Sequence, residues 1–232
     1  MKNTTTLAGL SALLFALTSM TLAQQSMAEH VGAIKASLAT SQATLRQYEW
    51  VETTVVSLKG EAKSNKQNSC YYAADGSVTK IPLNPAPPPE KKRGLRGKIA
   101  ANKTEELTDY MQQAVGLVKV YVPPQPAQIQ AAKDAGKVSM DVLEPNKRVR
   151  LNLRDYYKPG DTLGLEFDMA NNRLLGLSVQ TYLEDAKDAV SLAVQMAALP
   201  DGSVYAAAIK LDAPAKKVSV TVDNAGYRKK GT

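Results

Sequence analysis

The side chains that most often carry chemistry are scarce in this chain. It has one histidine, His30, and one cysteine, Cys70. A lone histidine argues against Ser-His-Asp and Cys-His catalysis and against every multi-histidine zinc site, because each needs several converging groups. His30 reads as an exposed residue near the start of a helix. Cys70, beside Tyr71 and Tyr72 in an apparent strand, reads as a small buried side chain. Alone it can form no disulfide within the chain. Glu105 and Glu106 are adjacent, so a helix turns them about 100° apart rather than together. A glycosidase-like pair would have to draw carboxylates from distant strands. Gly94-Leu95-Arg96-Gly97 has neither the preceding strand nor the trailing Lys-Ser/Thr of a phosphate loop. Asp161, Asp168, Asp185, Asp188 and Asp201 lie at or near turns, where aspartate usually braces the backbone. No catalytic residue, metal ligand or cofactor is therefore assigned, and a hydrolase of envelope polymers stays a remote reading.

The densest charge is cationic. Lys91, Lys92, Arg93, Arg96, Lys98 and Lys103 follow a stretch with prolines at 82, 85, 87, 88 and 89, and the whole chain carries a formal charge of +7. Runs of this kind usually keep a loop solvated. The sharper reading makes Lys91, Lys92, Arg93 and Arg96 a contact for an anionic headgroup or an envelope partner.

The start of the chain supplies the expected address. Lys2 is followed by an apolar or small run from Leu7 to Leu17, and Thr21-Leu22-Ala23 sets small residues three and one before a cut. That order reads as a signal peptide over 1–23, cleaved near Ala23. The apolar run is short of the roughly 20 residues a permanent span needs. A periplasmic protein beginning near Gln24 is expected, and export argues against nucleic acid as its everyday partner.

The elements that must position any site are more legible. Met27, Val31, Ile34, Leu38 and Leu45 predict an amphipathic helix over about 27–46. Tyr48 to Leu58 is rich in strand formers, and Lys59-Gly60 and Asp75-Gly76 predict turns of a three-strand meander. The proline-rich stretch predicts an extended connector within a basic loop at 82–98. Leu107, Tyr110, Met111, Ala114, Val115 and Val118 predict a second helix over about 99–120, and Pro126 opens a third to about 135. From Val138 onward, apolar residues alternate between turn signals, so hairpin follows hairpin. Val149, Leu151 and Leu153 alternate with Arg150, Asn152 and Arg154, giving one apolar and one cationic face. The fold class expected is α+β: a strongly curved antiparallel sheet, a half-open barrel, covered by a few helices. One domain over 24–232 is expected, because neither half alone could bury its apolar face.

This order of elements, with the ending Gly202-Ser203-Val204-Tyr205, Ile209-Lys210-Leu211, Val218-Ser219-Val220-Thr221-Val222, Asn224 and Tyr227, resembles the periplasmic LolA/LolB lipoprotein carriers and the related RseB sensor domain. The resemblance implies a half-open barrel with a helical lid that carries an acyl chain or apolar peptide in its hollow. The proline- and lysine-rich insertion departs from the carriers' pattern, and no carrier residue is transferred to a position here. Two tasks follow. The first is non-enzymatic binding or carriage of an apolar ligand, an acyl chain or lipoprotein. The second is an envelope interaction or sensor module acting through the basic loop. A cavity between sheet and helices would favour the first, and a filled interior the second.

Overall fold

The computed structural model describes residues 32–85 and 95–231, without the side chains of 95–103. Ten strands form one antiparallel sheet: β1 (Tyr48–Leu58), β2 (Glu61–Tyr72), β3 (Val78–Pro82), β4 (Val138–Glu144), β5 (Arg148–Arg154), β6 (Thr162–Asp168), β7 (Arg173–Tyr182), β8 (Ala189–Ala198), β9 (Val204–Ala213) and β10 (Val218–Lys229). The helices are α1 over 32–45, α2 (Leu95–Val118) and α3 (Pro126–Asp134). No described helix is long and apolar enough to cross a membrane.

The strand order is β3-β2-β1-β10-β9-β8-β7-β6-β5-β4. Each strand therefore pairs with its chain neighbour, except where β1 pairs with β10 and joins the two meanders into one sheet.

Alternation now has a spatial meaning. Val56, Val220, Leu211, Leu192, Val179, Leu163, Leu153 and Val138 are successive register partners across eight strands. Thr54, Val222, Ile209, Val194, Leu177, Leu165, Leu151 and Met140 form the row beside it. Residues two apart share a face, so both rows lie on the same side. That side is the core. Helical residues Ile34, Ala114, Val118 and Ala132 are buried with its central strands, and Tyr121 and Tyr156 close one end.

The expected cationic face is instead a ladder of opposite charges. Arg148 and Arg150 on β5 both bond Glu166 on β6, and Arg148 also reaches Glu144. Strand pairing puts acids opposite bases, so the outer face of β5 is neutralised from its neighbours.

One expectation is corrected. The sheet is open and not strongly curled, so it is not the half-open barrel predicted. Closure would require β3 and β4 to approach, yet they stand at opposite ends of ten strands, a width of about 40 Å. Register shifts occur within several pairs, but the two apolar rows run past them unbroken. Helices cover the apolar face in place of the sheet's own far side. The predicted helix boundaries fall within a few residues: α2 starts four residues early and α3 ends one residue early. The expected start of α1, at 27–31, lies outside the described residues.

Candidate ligand cleft

The second helix carries more apolar surface than it buries. Tyr110, Ala114 and Val118 recur every four residues and are buried. Leu107, Met111 and Val115 form a parallel stripe one position round the helix, and none of them is fully buried. Side chains four apart lie above one another on a helix, so these are two adjacent stripes. The first seals against the core. The second overhangs the junction of β2, β1 and β10, where Val56, Val218 and Val220 form the opposing wall.

Between them lies a cleft of about 1050 Å³. That is the upper end of the roughly 300–1,000 Å³ typical of small-molecule sites. Ser64, Thr104, Thr108 and Gln112 supply neutral polar groups to the lining, and Lys66 and Lys119 supply its charge. The cleft opens to solvent and is not a sealed hollow, since Val115 is 37% exposed. Gly116 also lines it, and a Cβ added there would meet nothing within 4 Å. Such an arrangement can hold an apolar chain by burying it between two aliphatic walls. It contains no acid–base pair.

Farther along the same face of β1, the lining changes character. Glu52 is buried and accepts two hydrogen bonds from the Lys80 ammonium, at 2.7 and 2.6 Å, with Asn68 and Thr54 at 3.4 Å. Next to it, Trp50 stacks on Tyr227 at 5.4 Å between ring centroids and tilts against Tyr72 at 5.2 Å. Tyr205 completes the group at 4.3 Å from Tyr227. A glycine with positive φ, Gly226 (+65°), sets this up. The register passes from Glu49–Arg228 to Val51–Ala225, leaving Gly226 and Tyr227 opposite Trp50. Only glycine takes that backbone readily, and the bulge turns Tyr227 onto the indole. Burial, with Tyr72 close by, pushes the Tyr227 phenol well above its ordinary value. The indole Nε1 donates to Asn224 Oδ1 at 3.0 Å. The rings pack on one another, and the cluster reads as an end wall.

The residues singled out from sequence fall elsewhere. Lys91, Lys92 and Arg93 lie outside the described residues, as do His30 and Gly94. Arg96 lies in the first turn of α2, where only the backbone is described. Glu105 and Glu106 are exposed on α2, and Glu106 pairs with Lys216 at 3.0 Å. Cys70 is fully buried, and burial raises its thiol above the ordinary value. The turn aspartates brace backbone: Asp168 holds Asn171, Asp185 holds the Lys187 N–H, and Asp201 holds the Ser203 N–H. Among the described residues no group of three or more His, Cys, Asp or Glu could hold a metal.

In the sequence, Leu107, Met111 and Val115 present themselves as helix positions and carry no mark of a site. Their signal was width: six apolar positions on α2 are more than one contact stripe requires.

No protein-family model matches the chain, and no curated protein does. Among solved structures, it is similar to a crystal structure of a DUF1329 family protein from Desulfovibrio piger, at 10% identity and a TM-score of 0.33. That match covers 85% of this chain and 93% of the other.

Proposed function

We propose that this protein is a non-enzymatic binding or carrier protein, exported across the inner membrane, that holds an acyl chain in the cleft beneath α2. One observation carries the reading: an aliphatic cleft of about 1050 Å³ lies between the outer stripe of α2 and the sheet. An open cleft leaves its aliphatic walls against water and without dispersion contacts across it. A gap walled by Val56, Leu107, Met111, Val115, Val218 and Val220 regains those contacts when an apolar ligand enters. The same task is implied by the carrier-like order of elements in the sequence.

The test uses the fluorescent fatty acid cis-parinarate and a variant that fills the cleft. Gly116→Trp places an indole in open space on a helix, where glycine is itself a weak helix former. Wild type should bind the probe saturably, and Gly116→Trp should lose at least about tenfold in affinity while keeping its circular dichroism spectrum. Equal binding by both proteins would move the ligand out of this cleft. No saturable binding by wild type would end the carrier reading.

A further inference from the structure

The charge in the cleft has one sign. Among the described residues, Lys66 on β2 and Lys119, one residue beyond α2, are the ionisable groups of its lining, and no carboxylate lines it. Both are exposed, and neither has an ion-pair partner among the described residues. Five lysines elsewhere, Lys63, Lys80, Lys137, Lys210 and Lys216, each sit within 4 Å of a carboxylate. Two ammonium groups flanking an aliphatic trough, with no described carboxylate in its lining, make the field there cationic.

We infer that the cleft selects an anionic single-chain amphiphile, its chain along the aliphatic walls and its carboxylate or phosphate head met by Lys66 and Lys119. This rests on the reading of the cleft as an acyl-chain site. Lysine suits the task because its methylene stem can lie on apolar surface while its ammonium stays in water beside the head. Lys66 is the register partner of Thr54, and the adjacent pair, Ser64 and Val56, forms part of the cleft wall. The apolar wall and the cation are thus neighbours on the same two strands. Lys119 lies at the C-terminal end of α2, where the helix presents carbonyls with partial negative charge. Attraction for an anion there must come from the ammonium, which makes the side chain indispensable. A neutral chain would gain the walls alone, and a cationic amphiphile would meet repulsion.

The experiment measures displacement of the neutral dye N-phenyl-1-naphthylamine from the full-length mature protein at low ionic strength, with each competitor below its micelle concentration. The competitors share one chain length: palmitate, hexadecyl phosphate, methyl palmitate and hexadecyltrimethylammonium. Palmitate and hexadecyl phosphate should displace dye at about tenfold lower concentration than methyl palmitate, with the cation weakest. The ratio should shrink in high salt as exposed charges are screened. In the Lys66→Gln/Lys119→Gln double variant the anions should fall to within about twofold of methyl palmitate measured on the same variant. Tighter binding of palmitate would mark a fatty-acid head, and tighter binding of hexadecyl phosphate a lysophospholipid-like one. Equal displacement by all four competitors would overturn the anion preference and leave the carrier reading intact. An anion preference that survives the double variant would overturn the assignment to these lysines. Failure of wild type to bind dye or any competitor would overturn both readings.

Discussion

Asp161 is 1% exposed, and its carboxylate is ringed by donors. The Tyr121 hydroxyl donates to it at 2.6 Å, and the backbone N–H groups of Tyr156, Tyr157 and Lys158 donate at 2.6, 3.1 and 2.8 Å. A buried carboxylate is costly unless its oxygens are satisfied, and here they are. Tyr121, fully buried, also shares a hydrogen bond with Thr181 at 2.8 Å. This one carboxylate fastens the loop after α2 to the β5–β6 turn and, through Tyr121, to β7. Tyr121→Phe keeps the ring packing and removes a bond to a charged acceptor. It should cost about 1.5–3 kcal/mol, read as a fall in Tm of about 3–9 °C by calorimetry. An unchanged Tm would mean the phenol contributes only its ring. Asp161 was legible as a turn residue from Lys158-Pro159-Gly160-Asp161. Its bond to a tyrosine 40 positions earlier was not, because local sequence carries no sign of which distant donor fills a lone pair.

At the scale of elements, the edges of the sheet stand out. On β4, Met140 is 48% and Val142 59% exposed, although both belong to the face that is core elsewhere. The apolar rows continue to the edge while the covering helices stop short of it. A free edge with exposed apolar side chains invites strand addition by another chain. Val142→Lys should leave the unfolding free energy within about 0.5 kcal/mol of wild type. It should also reduce concentration-dependent association, measured by light scattering on concentrated samples. A marked loss of stability would show that Val142 is packed after all. The β4 pattern was readable as an alternating strand, but its place at the edge was not. Edge or centre depends on which strands meet, and β4 ends the sheet because it pairs with β5 alone and not with its preceding neighbour β3. Likewise, helix α2 announced itself by spacing, yet which of its two stripes seals and which overhangs depends on where the sheet lies beneath it.

For the whole molecule, the pH dependence of stability follows from groups spread across the sheet. Asp201, bonded by the Tyr48 hydroxyl and the Ser203 amide, and Asp168, bonded by Asn171, are held below the ordinary carboxylate value. Glu166 is also held low: burial raises it, but the hydrogen bonds and charges of Arg148 and Arg150 outweigh that. A carboxyl depressed in the folded state stabilises it fully above the unfolded value, about 4, and this contribution is lost as pH falls through the folded value. Tyr121 and Tyr227 are raised, chiefly by burial, so their stabilisation is full below about pH 10 and is lost as pH rises beyond it. Urea unfolding should therefore give a plateau from about pH 5 to 9, with losses on both sides. Tyr121→Phe should soften the alkaline fall, and an identical alkaline limb in that variant would point to other groups.

Read alone, the sequence determines the α+β class, the antiparallel hairpins, most of the strand limits and the side of each strand that faces inward. These follow from local rules: period two for strands, period near four for helices, and turn residues that tolerate positive φ. Tertiary structure decides the rest. It makes the sheet open where strong curvature was expected, joins β1 to β10, and leaves the cleft under the outer stripe of α2. Those outcomes depend on which distant edges meet and how closely a helix settles on a sheet. Periodicity assigns a side chain to a face, but a filled core and a walled cleft present the same alternation. The candidate site therefore rests on residues that the pattern marked as apolar, and on two lysines that became informative only when the fold set them beside an aliphatic wall.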